Sequence, residues 1–87
     1  MNLRFEKLQS PIYPAFLHVG EYSIPIDPDR VQSLKEITRE EPAPFFEALI
    51  EKVGYNRYLK ELLREGISKA EEPSSLARRL QEEIRSL

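Results

Sequence analysis

The sequence contains no cysteine. That excludes disulfides, thiolate zinc sites, iron–sulfur clusters and cysteine nucleophiles, so stability must come from packing or from a partner. A single histidine, His18, leaves no donor set for a transition metal. The three glycines, at positions 20, 54 and 66, are too dispersed to form a phosphate-cradling loop, which removes the dinucleotide and P-loop readings. No apolar run approaches the ~18 residues of a membrane span. The opening MNLRFEKLQS has no apolar signal-peptide core, so a cytoplasmic location is expected.

What is present is charge in near balance, with a net value of −2. Its distribution is uneven. Residues 1–26 are neutral, residues 27–54 carry seven acids against four bases, and residues 55–87 carry seven bases against six acids. This is not the basic footprint of a general nucleic-acid binder. Few Asn, Gln and Met, many Glu and Arg, and seven prolines match a thermophilic composition. At 87 residues the chain is expected to be one small α+β domain. It divides into a β-like head (1–26), a helical core (27–72) and a C-terminal amphipathic helix (73–87).

The border lies at Asp27-Pro28-Asp29. Asp27 can cap a helix by accepting from backbone N–H groups, Pro28 suits the first helical position, and Asp29 complements the helix dipole. Before the border, Leu3 and Phe5 alternate with Arg4 and Glu6 at a strand period. Ser10-Pro11-Ile12-Tyr13-Pro14 reads as a loop or sheet edge. Residues 15–19 and 22–26 flank Gly20-Glu21 and predict a hairpin, and Pro25 marks a free strand edge.

After the border, apolar residues recur every three or four positions. A first helix is expected over 28–40, with Val31, Leu34 and Ile37 on one stripe, ended by Pro42-Ala43-Pro44. A second, 44–53, is apolar over most of its surface and should place Phe46 and Leu49 in the core. Gly54 supplies a left-handed stop. Asn56 caps a third helix, 57–65, which Gly66 ends in a Schellman motif. The rival is one helix continuing to about residue 71, with Gly66 costing roughly 1 kcal/mol relative to Ala. Ser74 can cap a last helix over 75–86.

Few residues carry chemistry. His18 sits in an apolar strand-like run with no carboxylate or nucleophile beside it in sequence, and reads as an edge or surface histidine. Glu47/Glu51, Glu61/Glu65 and Glu82/Glu83 read as solvated helix faces. No catalytic, cofactor or metal residue is assigned. Arg57, Lys60 and Arg64, beside Tyr55 and Tyr58, are the candidate nucleic-acid contacts. Leu76, Leu80, Ile84 and Leu87 form a narrow stripe assigned to partner binding, with docking between molecules favoured.

Residues 22–53 resemble ribbon–helix–helix DNA-binding proteins in their hydrophobic spacing. Tyr22, Ile24 and Ile26 match the ribbon, Val31, Leu34 and Ile37 the first helix, and Phe46, Leu49, Ile50 and Val53 the second. The resemblance implies a dimer whose paired ribbon enters the major groove, as in many antitoxins and repressors. Ser23 and Pro25 stand where that ribbon would read bases. The first expectation is a non-enzymatic interaction or regulatory module that acts by homodimerisation or by binding a partner protein. The motive is the surplus apolar surface of the second and fourth helices. The DNA-binding regulator is the alternative.

Overall fold

The computed structural model describes residues 3–87; Met1 and Asn2, the first residues of the expected head, lie outside them. The fold is α+β, a three-stranded antiparallel sheet followed by four helices. The strands are β1 (Leu3–Lys7), β2 (Ala15–Val19) and β3 (Tyr22–Ile26), in spatial order β1-β2-β3. Gly20, at φ 60°, is the only described residue with positive φ. It closes β2 onto β3 through a two-residue turn of type II′, in which only the first turn residue needs positive φ. Leu8 N–H donates to the Pro14 carbonyl at 2.8 Å and closes the proline-rich loop.

The strand period sets the layers. Leu3, Phe5, Ala15, Leu17, Val19, Ile24 and Ile26 are buried on one face under the helices. Arg4, Glu6, Phe16, His18, Ser23 and Pro25 fall on the other. β3, which the ribbon–helix–helix resemblance would pair with a second copy, pairs with β2 of its own chain.

Both sheet edges have specific ends. On β1, Phe5 N–H donates to Glu83 Oε2 at 2.6 Å, and the Arg79 guanidinium donates to the Leu3 carbonyl. The main-chain groups of Leu3 and Phe5 therefore point away from β2. These groups alternate in direction along a strand. The register then turns those of Tyr22, Ile24 and Ile26 toward β2, and those of Ser23 and Pro25 to the free edge. Pro25 has no N–H, so Ser23 supplies the one strand donor on that edge.

Helix α1 (Pro28–Lys35) is capped as expected, with Asp27 Oδ1 accepting from Arg30 N–H at 2.8 Å. It ends five residues earlier than the periodicity suggested. The Thr38 hydroxyl donates to the Lys35 carbonyl at 3.0 Å, and Ile37 and Glu40 N–H groups bond three residues back, so tighter turns replace the last helical turn. α2 runs Pro42–Val53, so Pro42 and Pro44 open this helix, in the first turn where N–H groups have no intrahelical acceptor. Phe46 and Leu49 are buried as expected. Gly54 is not left-handed: its φ is −88° and ψ 83°. Glycine is needed there for space, because a Cβ would lie 2.7 Å from the Ile50 carbonyl oxygen and 2.7 Å from Lys60 Cγ.

α3 (Arg57–Ser68) is capped by Asn56, whose Oδ1 accepts from Leu59 N–H at 2.9 Å. It passes straight through Gly66, so the Schellman stop does not hold, and it ends at Ser68, three residues short of the longer reading. Gly66 is buried where α3 crosses the sheet at Leu3 and Val19. α4 spans Pro73–Arg85 with Pro73 at its first turn and Glu72, not Ser74, at the N-cap position. It docks against β1, α2 and α1 of the same chain. Gln81 donates to the Glu40 carbonyl at 2.8 Å and Arg85 to the Thr38 carbonyl, which satisfies main-chain groups of the α1–α2 connection. One apolar core runs through the sheet and all four helices. Among the described residues no helix is long and apolar enough to cross a membrane.

Candidate functional site

Of the large apolar side chains left open, Ile12 and Tyr13 lie in the proline-rich loop, and the other three are tyrosines of β3 and the start of α3. Tyr22, Tyr55 and Tyr58 are 46%, 56% and 57% exposed. The hairpin turn sets Tyr22 at the start of β3, and the Asn56 cap sets Tyr58 in the first turn of α3. Their rings meet edge-on at 5.8 Å between centroids, and Tyr58 Oη donates to Tyr22 Oη at 2.6 Å. That bond holds the Tyr58 proton and, with the nearby Tyr22 and Glu65, pushes its pKa above the ordinary phenol value. Tyr55 lies one residue before the cap, and the Arg30 guanidinium carbon sits 5.1 Å from its ring centroid. Asp27 holds Arg30 from behind at 3.9 Å. The result is two exposed aromatic contacts, Tyr22 with Tyr58 and Tyr55 with Arg30, linked through the short segment that joins Tyr55 to the start of α3. Tyr55 and Tyr58 were read as neighbours of a basic helix face, but Tyr22 is 36 residues from Tyr58 and only the fold brings them together.

The sequence-assigned nucleic-acid contacts are on α3, but two are already engaged. Arg57 pairs with Glu61 at 3.3 Å and Lys60 with Glu51 at 3.2 Å. Arg64 is exposed on the same helix. The glutamates that share the face therefore dilute its positive field.

The stripe assigned to partner binding is mostly internal. Leu80 and Ile84 are 0% exposed in the monomer, while Leu76 and Leu87 are partly buried against the same core. This corrects the expectation of an intermolecular docking seam. The narrow seam fits because Arg79, Gln81, Glu83 and Arg85 anchor α4 by polar bonds on either side of it. The apolar surface of α2 is likewise taken up by its own chain, through Phe45, Phe46, Leu49, Ile50 and Val53. The surplus apolar area that argued for a dimer is therefore consumed within one molecule.

His18 has the neighbours that the linear sequence did not show. On the open sheet face its Nε2 lies 2.7 Å from Glu6 Oε1, and its Nδ1 lies 2.9 Å from Ser23 Oγ. Phe16 packs edge-on against the imidazole at 6.1 Å. Among the described residues no three metal-ligating side chains converge. Two clefts lie elsewhere: one of about 450 Å³ between α3 and α4, beside Gly66, Lys69, Leu76 and Arg79, and one of about 260 Å³ beside Glu41, Ser74 and Gln81. No family model, curated protein or solved structure matches the chain.

Proposed function

We propose that this chain is an interaction module that binds a partner protein through Tyr22, Tyr55, Tyr58 and Arg30. The observation that carries the reading is the exposure of Tyr22, Tyr55 and Tyr58, each held by a specific side-chain contact, whereas the other exposed large apolar side chains, Ile12 and Tyr13, lie in the proline-rich loop. Tyrosine and arginine give large, stiff contact area with a polar tip, and they are enriched where binding energy concentrates. The Tyr58–Tyr22 bond and the Arg30–Tyr55 contact hold these side chains in place before binding, which lowers the ordering cost.

Light scattering on the purified chain, combined with crosslinked capture by wild type and by a Tyr55→Ala/Tyr58→Ala variant, tests this. A monomer that captures a defined protein, with capture lost in the folded variant, supports the reading. A dimer that the variant dissociates makes the partner a second copy. Capture unchanged by the variant, or salt-sensitive binding of duplex DNA in its place, refutes it.

A further inference from the structure

We propose that Ser23 is an activated hydroxyl that accepts acyl groups from activated esters and thioesters, with His18 as its base and Glu6 as a positioning residue. Each strand contributes one member: Glu6 from β1, His18 from β2 and Ser23 from β3. The register sets His18 directly opposite Ser23 and places Glu6 one diagonal step away across β1 and β2, within reach of a long side chain. The contacts are 2.7 Å from carboxylate to Nε2 and 2.9 Å from Nδ1 to hydroxyl.

The direction of these bonds follows from what each group can do. A carboxylate only accepts, so Nε2 carries the proton in the bond to Glu6. In the neutral imidazole Nδ1 then holds the lone pair, and the Ser23 hydroxyl donates to it. Carboxylate, imidazole and hydroxyl in series is the arrangement that makes serine a nucleophile, here with the ring presenting Nδ1 to the hydroxyl. Ser23 is exposed, so a donor can reach Oγ. Its own N–H faces the free edge of β3 and can donate to the oxygen of a carbonyl attacked by Oγ.

The step balances without a co-reactant. Ser23 Oγ attacks the acyl carbon while its proton passes to His18 Nδ1. The tetrahedral intermediate collapses, the bond from carbon to the leaving oxygen or sulfur breaks, and the leaving group departs as alcohol or thiol with the proton from Nδ1. Ser23 is left as an ester. Water can then attack that ester, giving its proton to Nδ1, and the carboxylic acid leaves as Ser23 regains its hydrogen. With one backbone donor and an open face, the site suits activated acyl donors rather than amides.

The test uses the whole chain with p-nitrophenyl acetate and with an acetyl thioester, followed by peptide fragmentation to locate the acetyl group. Wild type should carry it on Ser23. His18→Asn should slow that labelling about 100-fold, within the range of general-base contributions. Ser23→Ala should abolish it at this position. The ring-nitrogen NMR signals of His18 should report the Nε2–H tautomer, and Glu6→Ala should return them to a mixture while slowing labelling. All three side chains are on the open face, and a thermal melt confirms that the variants fold. Acetylation confined to lysines, or Ser23 labelled as fast in His18→Asn as in wild type, overturns the proposal.

Discussion

Replacing Gly66 by alanine should make this protein more stable. Glycine in a helix interior costs about 0.8–1 kcal/mol relative to alanine. The added methyl would meet Leu3 Cδ1 at 3.4 Å, Leu3 Cγ at 3.6 Å and Val19 Cγ1 at 3.7 Å, which is ordinary contact. The gain should therefore be close to the full helical difference, about 1 kcal/mol, or roughly 4–8 °C in Tm for a domain of this size. The sign carries the information. Were α3 to end at Gly66 in a left-handed stop, alanine would instead cost roughly 1–2 kcal/mol. Gly54 is the internal control. There a Cβ would lie 2.7 Å from the Ile50 carbonyl oxygen, a main-chain atom of α2 that cannot swing aside, so Gly54→Ala should destabilise by about 1–3 kcal/mol. Thermal unfolding followed by circular dichroism on both variants decides it. A fall in Tm for Gly66→Ala, or a rise for Gly54→Ala, would refute the reasoning about space at these two positions.

Leu80→Ala should cost about 2–5 kcal/mol in a urea titration, well above the cost of the half-open Leu87→Ala, because Leu80 is fully buried in the core. Removing residues 73–87 should unfold the rest, and a folded 1–72 fragment would show that α4 is dispensable. Tyr58 should titrate above the ordinary phenol range in ultraviolet difference spectra, and Tyr22→Phe should bring it down, since the bond to Tyr22 is the largest cause of the rise. Its folded pKa is raised, so the stabilisation is complete below the unfolded phenol pKa and is lost as pH rises through the higher folded value. An unchanged titration in Tyr22→Phe would dissociate the shift from that bond. Duplex DNA should give no salt-sensitive gel shift, because Arg57 and Lys60 are paired with Glu61 and Glu51; a tight, salt-dependent complex would contradict it.

What the sequence made legible was local. Asp27 and Asn56 cap helices because a cap needs only its own next three residues, and Gly20 forms the hairpin for the same reason. Pro42-Ala43-Pro44 was read as ending the first helix, whereas α1 stops at Lys35 and Pro42 already opens the next, two residues before the expected start. The glycines were read by dihedral angle, whereas Gly54 answers to what lies across from it and Gly66 sits in an ordinary helical turn with room for a methyl. α4 illustrates the limit most clearly. Its stripe of Leu76, Leu80 and Ile84 was visible, but whether that stripe faces a neighbour or its own sheet depends on contacts with Leu3 and Phe5 at the far end of the chain. The Glu6–His18–Ser23 series and the Tyr22–Tyr58 pair are invisible for a related reason. Strand register and helix placement create them, and neither is written in any one segment.

The closure of β1 by Arg79 and Glu83 also has a consequence in time. The partners of the Phe5–Glu83 bond are 78 residues apart. At a synthesis rate of ~5–20 residues per second, the first strand waits about 4–16 seconds for the helix that seals it. Through that interval its outer N–H and C=O groups are open to any other strand nearby. Growing chains crowded on one message are thus more exposed to mispairing than the finished molecule. A faster-translated or more dilute message should yield more native protein from the same sequence.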